Sequence, residues 1–138
     1  MDAALRRFVR QRAAHRCEYC QLLQDHEPFV TFHTEHIIAK HHGGEDDPSN
    51  LCLACPSCNF HKGPNIAGRL AATSELIPLF NPRRDRWEEH FRWDGALLAG
   101  LTPVGLVTLQ VLRINLPENV EHRDALIAEG VFPPPASV

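Results

Sequence analysis

Two Cys-x-x-Cys pairs, Cys17/Cys20 and Cys55/Cys58, enclose a polar set made of Glu35-His36, Gly43-Gly44 and Asn50, with Asn59 directly after the last cysteine. Four thiolates delivered by two tight turns suit a tetrahedral soft-metal site, and zinc is the ion that prefers one. Protein would fill every coordination position, so this zinc is structural and leaves no place for a substrate. The residues between the pairs suit a different chemistry. Hydrolysis of a phosphodiester needs a base to activate water and a cation to neutralise charge on the phosphate and the leaving oxygen. His36 is a suitable base, because an imidazole takes up a proton near neutral pH. A carboxylate from Glu35 and an amide oxygen from Asn59 suit a hard cation such as Mg²⁺, which binds oxygen and keeps several waters. Glu35 and His36 are adjacent, so in a regular strand their side chains point to opposite faces. Both serve one site only if the strand ends or bends there, and the glycine-containing loop that follows supplies the opportunity.

The elements that must position these groups can be read from periodicity and punctuation. Leu5, Phe8, Val9 and Ala13 fall at helical spacing within residues 2–14, with arginines on the remaining face. Residues 29–38 are mostly β-branched, aromatic or His and predict a strand; 43–50 read as loop and 50–53 as a second strand. Pro56 suits the first turn of a helix running through Cys58, Asn59 and Lys62 until Gly63-Pro64 stops it. A zinc held by both cysteine pairs would pin the first knuckle to the start of that helix, with binding free energy on the order of 10 kcal/mol. Residues 65–86, with prolines at 78 and 82, show few regular patterns and read as a segment wrapping the core. Residues 90–101 form a hairpin about Asp94-Gly95. Thr102 caps a helix with Pro103 at its first position, carrying Leu106, Leu109, Val111 and Leu112 toward Ile114. A last helix spans 117–129, and 132–138, with three consecutive prolines, reads as a flexible tail.

The bulk properties bound the answer. The 138 residues, 43% of them apolar, suffice for one compact domain whose core is small relative to its surface. No apolar run approaches membrane-spanning length, and no leader pattern accompanies the five cysteines, so the reading is a cytoplasmic protein. In that reducing compartment the paired cysteines favour zinc over disulfides, and Cys52 is left as a core thiol. The net charge of −3 lacks the overall basic footprint of a nucleic-acid binder. Charge is clustered all the same, in Arg6, Arg7, Arg10, Arg12 and Arg16 and again in Arg83, Arg84 and Arg86; these suit phosphate oxygens or simply a solvated face. Trp87, Phe91 and Trp93 read as core filling rather than base-stacking rings.

Residues 17–63 resemble an HNH endonuclease through the strings CEYC, TEHIIAKHHGG and SNLCLACPSCNFHKG. The resemblance implies an α+β fold with a ββα-metal core stapled by a structural four-cysteine zinc, extended by an N-terminal helix and a C-terminal hairpin-helix-helix. Together with the element reading above, this gives a single domain over 1–131, with core 15–64 and extension 65–131. His36 would be the general base, Asn50 would hold the His36 loop by backbone hydrogen bonds, and Asn59 would occupy the third signature position as a metal ligand. Glu35 stands where the family has an acidic ligand, and Lys62 would meet a phosphate. Asn rather than His at the third position leans the site toward Mg²⁺ or Mn²⁺, with His61 able to replace or supplement it. The stretch NPRRDRWEEHFRW is similar to the C-terminal part of stand-alone bacterial HNH proteins. The implied activity is metal-dependent hydrolysis of nucleic acid, with double-stranded DNA the expected substrate and 5′-phosphates the expected ends. One site makes one cut, so double-strand cleavage needs a homodimer or two encounters, and a partner protein could deliver the domain to DNA. The rival readings are a non-catalytic zinc module that binds DNA or protein, in keeping with the negative charge, and an RNA-directed enzyme.

Overall fold

The computed structural model describes residues 1–135. Helix α1 (Ala3–Arg12) begins where the Asp2 side chain accepts a hydrogen bond from the Leu5 amide at 2.8 Å, and it buries Val9. It lies on a two-stranded antiparallel hairpin, β1 (His33–His36) and β2 (Leu51–Ala54), in which Glu35 sits opposite Cys52 and His36 opposite Leu51. Arg12 secures the contact by donating to the carbonyls of Pro48 at 2.9 Å and Leu51 at 2.6 Å. Every residue of β2 is buried, because α1 and the rest of the core leave it no solvent face. Helix α2 (Pro56–Lys62) follows directly, with proline in its first turn and the Cys55 sulfur accepting from the Cys58 amide at 3.4 Å. Hairpin and helix make the ββα unit of a mixed α+β fold.

The first strand is shorter than the sequence predicts, because a side chain takes over its backbone partners. Gln24 donates to the carbonyls of Glu27 and Val30 and accepts from the Phe32 amide at 2.7 Å, so residues 29–32 are held as a loop. The wrapping segment also needs correcting. It holds a second hairpin, β3 (Ala67–Arg69) with β4 (Leu76–Pro78). Its strands are too short to show a period of two, and Gly68 marks where a neighbouring helix comes close: a Cβ there would lie 2.5 Å from Val107.

Beyond it, a single turn α3 (Trp87–His90) leads into a third hairpin, β5 (Phe91–Asp94) and β6 (Leu97–Gly100). Helix α4 (Pro103–Leu112) is capped by Thr102, whose hydroxyl accepts from the Gly105 amide at 3.1 Å, and it packs on α2, β3, β4 and β6. Helix α5 (Pro117–Ala128) closes the order. Trp87, Phe91, Trp93 and Phe80 form a chain of tilted and edge-on rings. The two indoles also donate hydrogen bonds to the first cysteine knuckle, Trp87 to the Tyr19 carbonyl and Trp93 to Gln21 Oε1, both at 2.8 Å. Phe132 joins this cluster, its ring centroid 5.0 Å from that of Trp93, and is buried. The tail expected from 132 therefore starts too early: the three prolines after Phe132 do not prevent that ring from docking. Residues 136–138 lie outside the described residues.

Gly105 lets α4 approach the end of α3, since a Cβ there would lie 2.2 Å from the His90 carbonyl oxygen. Backbone cannot yield as a flexible side chain can. Gly105→Ala is expected to lower unfolding free energy by about 1–3 kcal/mol, read as a lower urea midpoint at unchanged slope.

Candidate functional site

The two cysteine pairs converge. The first knuckle is closed by Cys17 N–H to Leu22 C=O at 2.8 Å and Gln21 N–H to Cys17 C=O at 2.9 Å. The second is the first turn of α2. The four sulfurs lie within 4.8 Å of one another, with Cys20 and Cys55 at 3.7 Å. A tetrahedron with Zn–S bonds of about 2.3 Å has edges of about 3.8 Å, so the cluster fits zinc. No other three His, Cys, Asp or Glu side chains converge in this way among the described residues. A tetrathiolate zinc carries two negative charges, and Arg123 of α5 lies buried beside Cys20, Cys55 and Cys58. Its guanidinium donates to the carbonyls of Ala96 and Ile114 and to Asn115 Oδ1, so it is held in place as a counter-charge.

His36 ends β1 and is half-buried. Its Nε2 lies 2.6 Å from Asp46 Oδ1, and Lys40 Nζ lies 3.3 Å from the same oxygen. The hydrogen bond to His36, reinforced by Lys40, holds the Asp46 carboxyl below the usual carboxylate range. A carboxylate only accepts, so Nε2 carries the proton and Nδ1 is the basic atom. The loop that returns Asp46 to His36 is closed from both ends. Asn50 Oδ1 accepts from the Ile38 amide at 2.8 Å, and its Nδ2 donates to the carbonyls of Ile38 and Glu45 at 3.0 and 3.1 Å. Its own carbonyl takes the Ile37 amide at 2.8 Å. Gly43 turns the chain with φ of 90°, and Gly44 passes so near Ile38 that a Cβ would lie 1.7 Å from its carbonyl oxygen. Sequence reasoning missed Asp46. The available signal was the acidic run Glu45-Asp46-Asp47 in a loop pinned by Gly44 and Asn50.

Glu35 does not meet His36. The strand stays regular through both residues, so alternation sends Glu35 into the interior, where it is 7% exposed. There Lys62 Nζ lies 3.0 Å from Oε1, and Cys52 Sγ lies 3.4 Å from Oε2 and 3.6 Å from Tyr19 Oη. Burial pushes the Glu35 carboxyl up, and the Lys62 ammonium pulls it partly back. Burial also pushes the Cys52 thiol up, which keeps this core cysteine protonated. Lys62 is 1% exposed, so a phosphate cannot reach it where it stands. Its ammonium donates to the carbonyls of His36 at 3.3 Å and Ile37 at 3.0 Å, tying α2 to the end of β1. Glu35 Oε1 is buried and paired in charge with that ammonium, with no other donor among the described residues reaching it. That lone pair suits a hard cation, which would have to displace the ammonium. Asn59 is half-buried on α2, and His61 binds the Ser57 carbonyl through Nδ1 at 2.9 Å, leaving Nε2 available.

A family model described as HNH endonuclease matches residues 17–65. No curated protein and no solved structure matches the chain. None of the described helices is long and apolar enough to cross a membrane.

Two outcomes test this geometry. The purified protein should carry one zinc per chain, and a strong chelator under reducing conditions should lower Tm and abolish cooperative unfolding, restored by zinc but not by magnesium. Lys62→Met leaves Glu35 buried without a counter-charge and should cost about 3–5 kcal/mol near pH 7. The deficit should shrink toward acid. A carboxyl raised above its unfolded-chain value, 4.5, contributes stability that is present below that value and lost as pH rises through the folded one. Urea unfolding of the zinc-loaded, magnesium-free variant between pH 5 and 8 reads the trend.

Proposed function

With residues 17–65 belonging to the HNH endonuclease family, we propose that the protein is a divalent-metal-dependent endonuclease that cuts double-stranded DNA and leaves 5′-phosphate ends. The observation that carries the proposal is the His36–Asp46 pair, held at 2.6 Å by a loop that Asn50 clamps. In this reading His36 Nδ1 takes the proton of the attacking water. Asp46 keeps the opposite nitrogen protonated and balances the imidazolium that forms. Asn50 keeps the turn after His36 fixed, so the base does not swing away as the proton moves. The Cys17, Cys20, Cys55 and Cys58 zinc takes no part in the chemistry beyond holding α2 on the hairpin.

The cation of this reading is Mg²⁺ or Mn²⁺, held by Asn59 and Glu35 with His61 as a supplementary ligand. When bound it supplies charge neutralisation at the phosphate and the leaving 3′ oxygen. Glu35 would join Asn59 as a ligand only if the Lys62 ammonium, now 3.0 Å from its Oε1, moved aside. The catalytic unit is one domain, built on core 15–64 and an extension that runs from 65 through the docked Phe132, and working in the cytoplasm. It nicks one strand per encounter, and a second copy or a second visit completes a double-strand break.

The Glu35–Lys62 pair at 3.0 Å favours a second reading, a zinc module that binds nucleic acid or protein without cutting, because an engaged carboxylate is not presented to an ion. Plasmid nicking in Mg²⁺ or Mn²⁺ separates the two. His36→Ala should lose at least about 100-fold in rate at unchanged zinc content and circular dichroism. Asp46→Asn should lose less, because an amide oxygen still accepts from Nε2 but no longer balances the imidazolium. Supercoiled plasmid left intact by the wild-type protein across pH 6 to 9 would sink the nuclease reading.

A further inference from the structure

Lys62 is the phosphate contact that the family resemblance implies, yet it is interior, so the backbone of a substrate must be held by other cations. The arginine-rich N-terminus divides by partner. Arg12 is committed to the carbonyls of Pro48 and Leu51, Arg16 to that of Gln21, and Arg83 to Glu18. Arg6 and Arg10 are placed differently. They lie one helical turn apart on α1 and border an open groove of about 480 Å³ that runs along β1 past His33 and Thr34 to Lys40 and the His36–Asp46 pair.

Arg6 and Lys40 are exposed. Arg10 spends one nitrogen on the Phe32 carbonyl at 3.1 Å, which fixes its guanidinium at the rim with further donors to spare. The single carboxylate bordering the groove, Asp46, is already bonded to His36 and Lys40. A chain of net charge −3 therefore concentrates three cationic side chains, with the Met1 ammonium 3.6 Å from Asp46 beside them, against one committed anion along the approach to its base. Such a local field draws a phosphate strand, whatever the total charge.

We propose that Arg6, Arg10 and Lys40 form the track that holds the phosphodiester backbone of a DNA strand and delivers the scissile phosphate to His36. The proposal rests on the nuclease reading for its substrate but concerns binding alone. Residues 1–16, which lie outside the part matching the family, thereby supply one wall of the site. Phosphate contacts position a strand without reading its bases, so the track acts equally on all sequences.

The test uses the full-length, zinc-loaded protein carrying His36→Ala, with a fluorescein-labelled duplex of about 20 base pairs and no magnesium. Arg6→Gln/Lys40→Gln, both exposed, should weaken Kd at least tenfold and reduce the slope of log K against log salt by about 2. Arg84→Gln/Arg86→Gln, also exposed but away from the groove, should leave both unchanged. Equal losses in the two pairs, no loss in the first, or no binding by the parent would overturn the track, as would tighter binding of a single-stranded RNA of the same sequence. Nicking by the protein with His36 intact is scored separately. Cutting that persists undiminished in the Arg6/Lys40 variant sinks the track and spares the nuclease; binding through the track without cutting does the reverse.

Discussion

The fold turns on the convergence of four cysteine sulfurs, which lie within 4.8 Å of one another. Those sulfurs come from two segments that bracket β1, the loop and β2, so a metal among them closes the whole unit around one point. The second pair doubles as the first turn of α2, which makes the register of that helix a consequence of the closure. Everything that α2 positions inherits the same anchor. The extension serves it too, since the indoles of Trp87 and Trp93 bond the first knuckle and Arg123 approaches the second from the far side.

Within that frame the interior holds an ion pair where a small core would ordinarily hold leucine. Glu35 and Lys62 contribute little net stability, because desolvation offsets most of their attraction. What they provide is specificity of arrangement. Lys62 reaches the two carbonyls at the end of β1, so the helix and the turn after His36 move as one body. The strand's alternation then separates duties that adjacent residues would otherwise share: Glu35 inward to the helix, His36 outward to Asp46. The arginines show a comparable division, some spent on carbonyls that join α1 to the hairpin and others left at the rim.

Much of this was legible in the sequence wherever one residue fixes one local event. Pro56, Thr102-Pro103 and Asp94-Gly95 mark their elements because caps and turns depend on nearest neighbours. The zinc cluster was legible for the same reason, each half being a four-residue turn. What failed depended on partners far along the chain. Gln24 shortens β1 by capturing the amide and carbonyls of a loop; Gly68 matters through Val107; Phe132 docks on Trp93 despite the prolines that follow it. Asp46 was invisible as a partner of His36, because only the closed loop brings it back across ten residues. The adjacency of Glu35 and His36 did signal a conflict, and the regular strand resolves it against convergence. Lys62 was assigned to phosphate by the resemblance, but a motif position leaves open whether that face of the helix meets water or protein.

The buried guanidinium beside the cysteines carries a consequence for how the protein is organised along its chain. Arg123 belongs to the last helix, whereas the sulfurs it neutralises are all in place by Cys58. In chain order the four ligands therefore precede the charge that faces them by at least 65 residues. A dianionic cluster without that charge, and without the helices that cover it, is open to exchange with cellular thiols. Holding the metal and covering its site thus fall to different stretches of chain: residues 17–58 supply every ligand, and α5 supplies the charge laid against them.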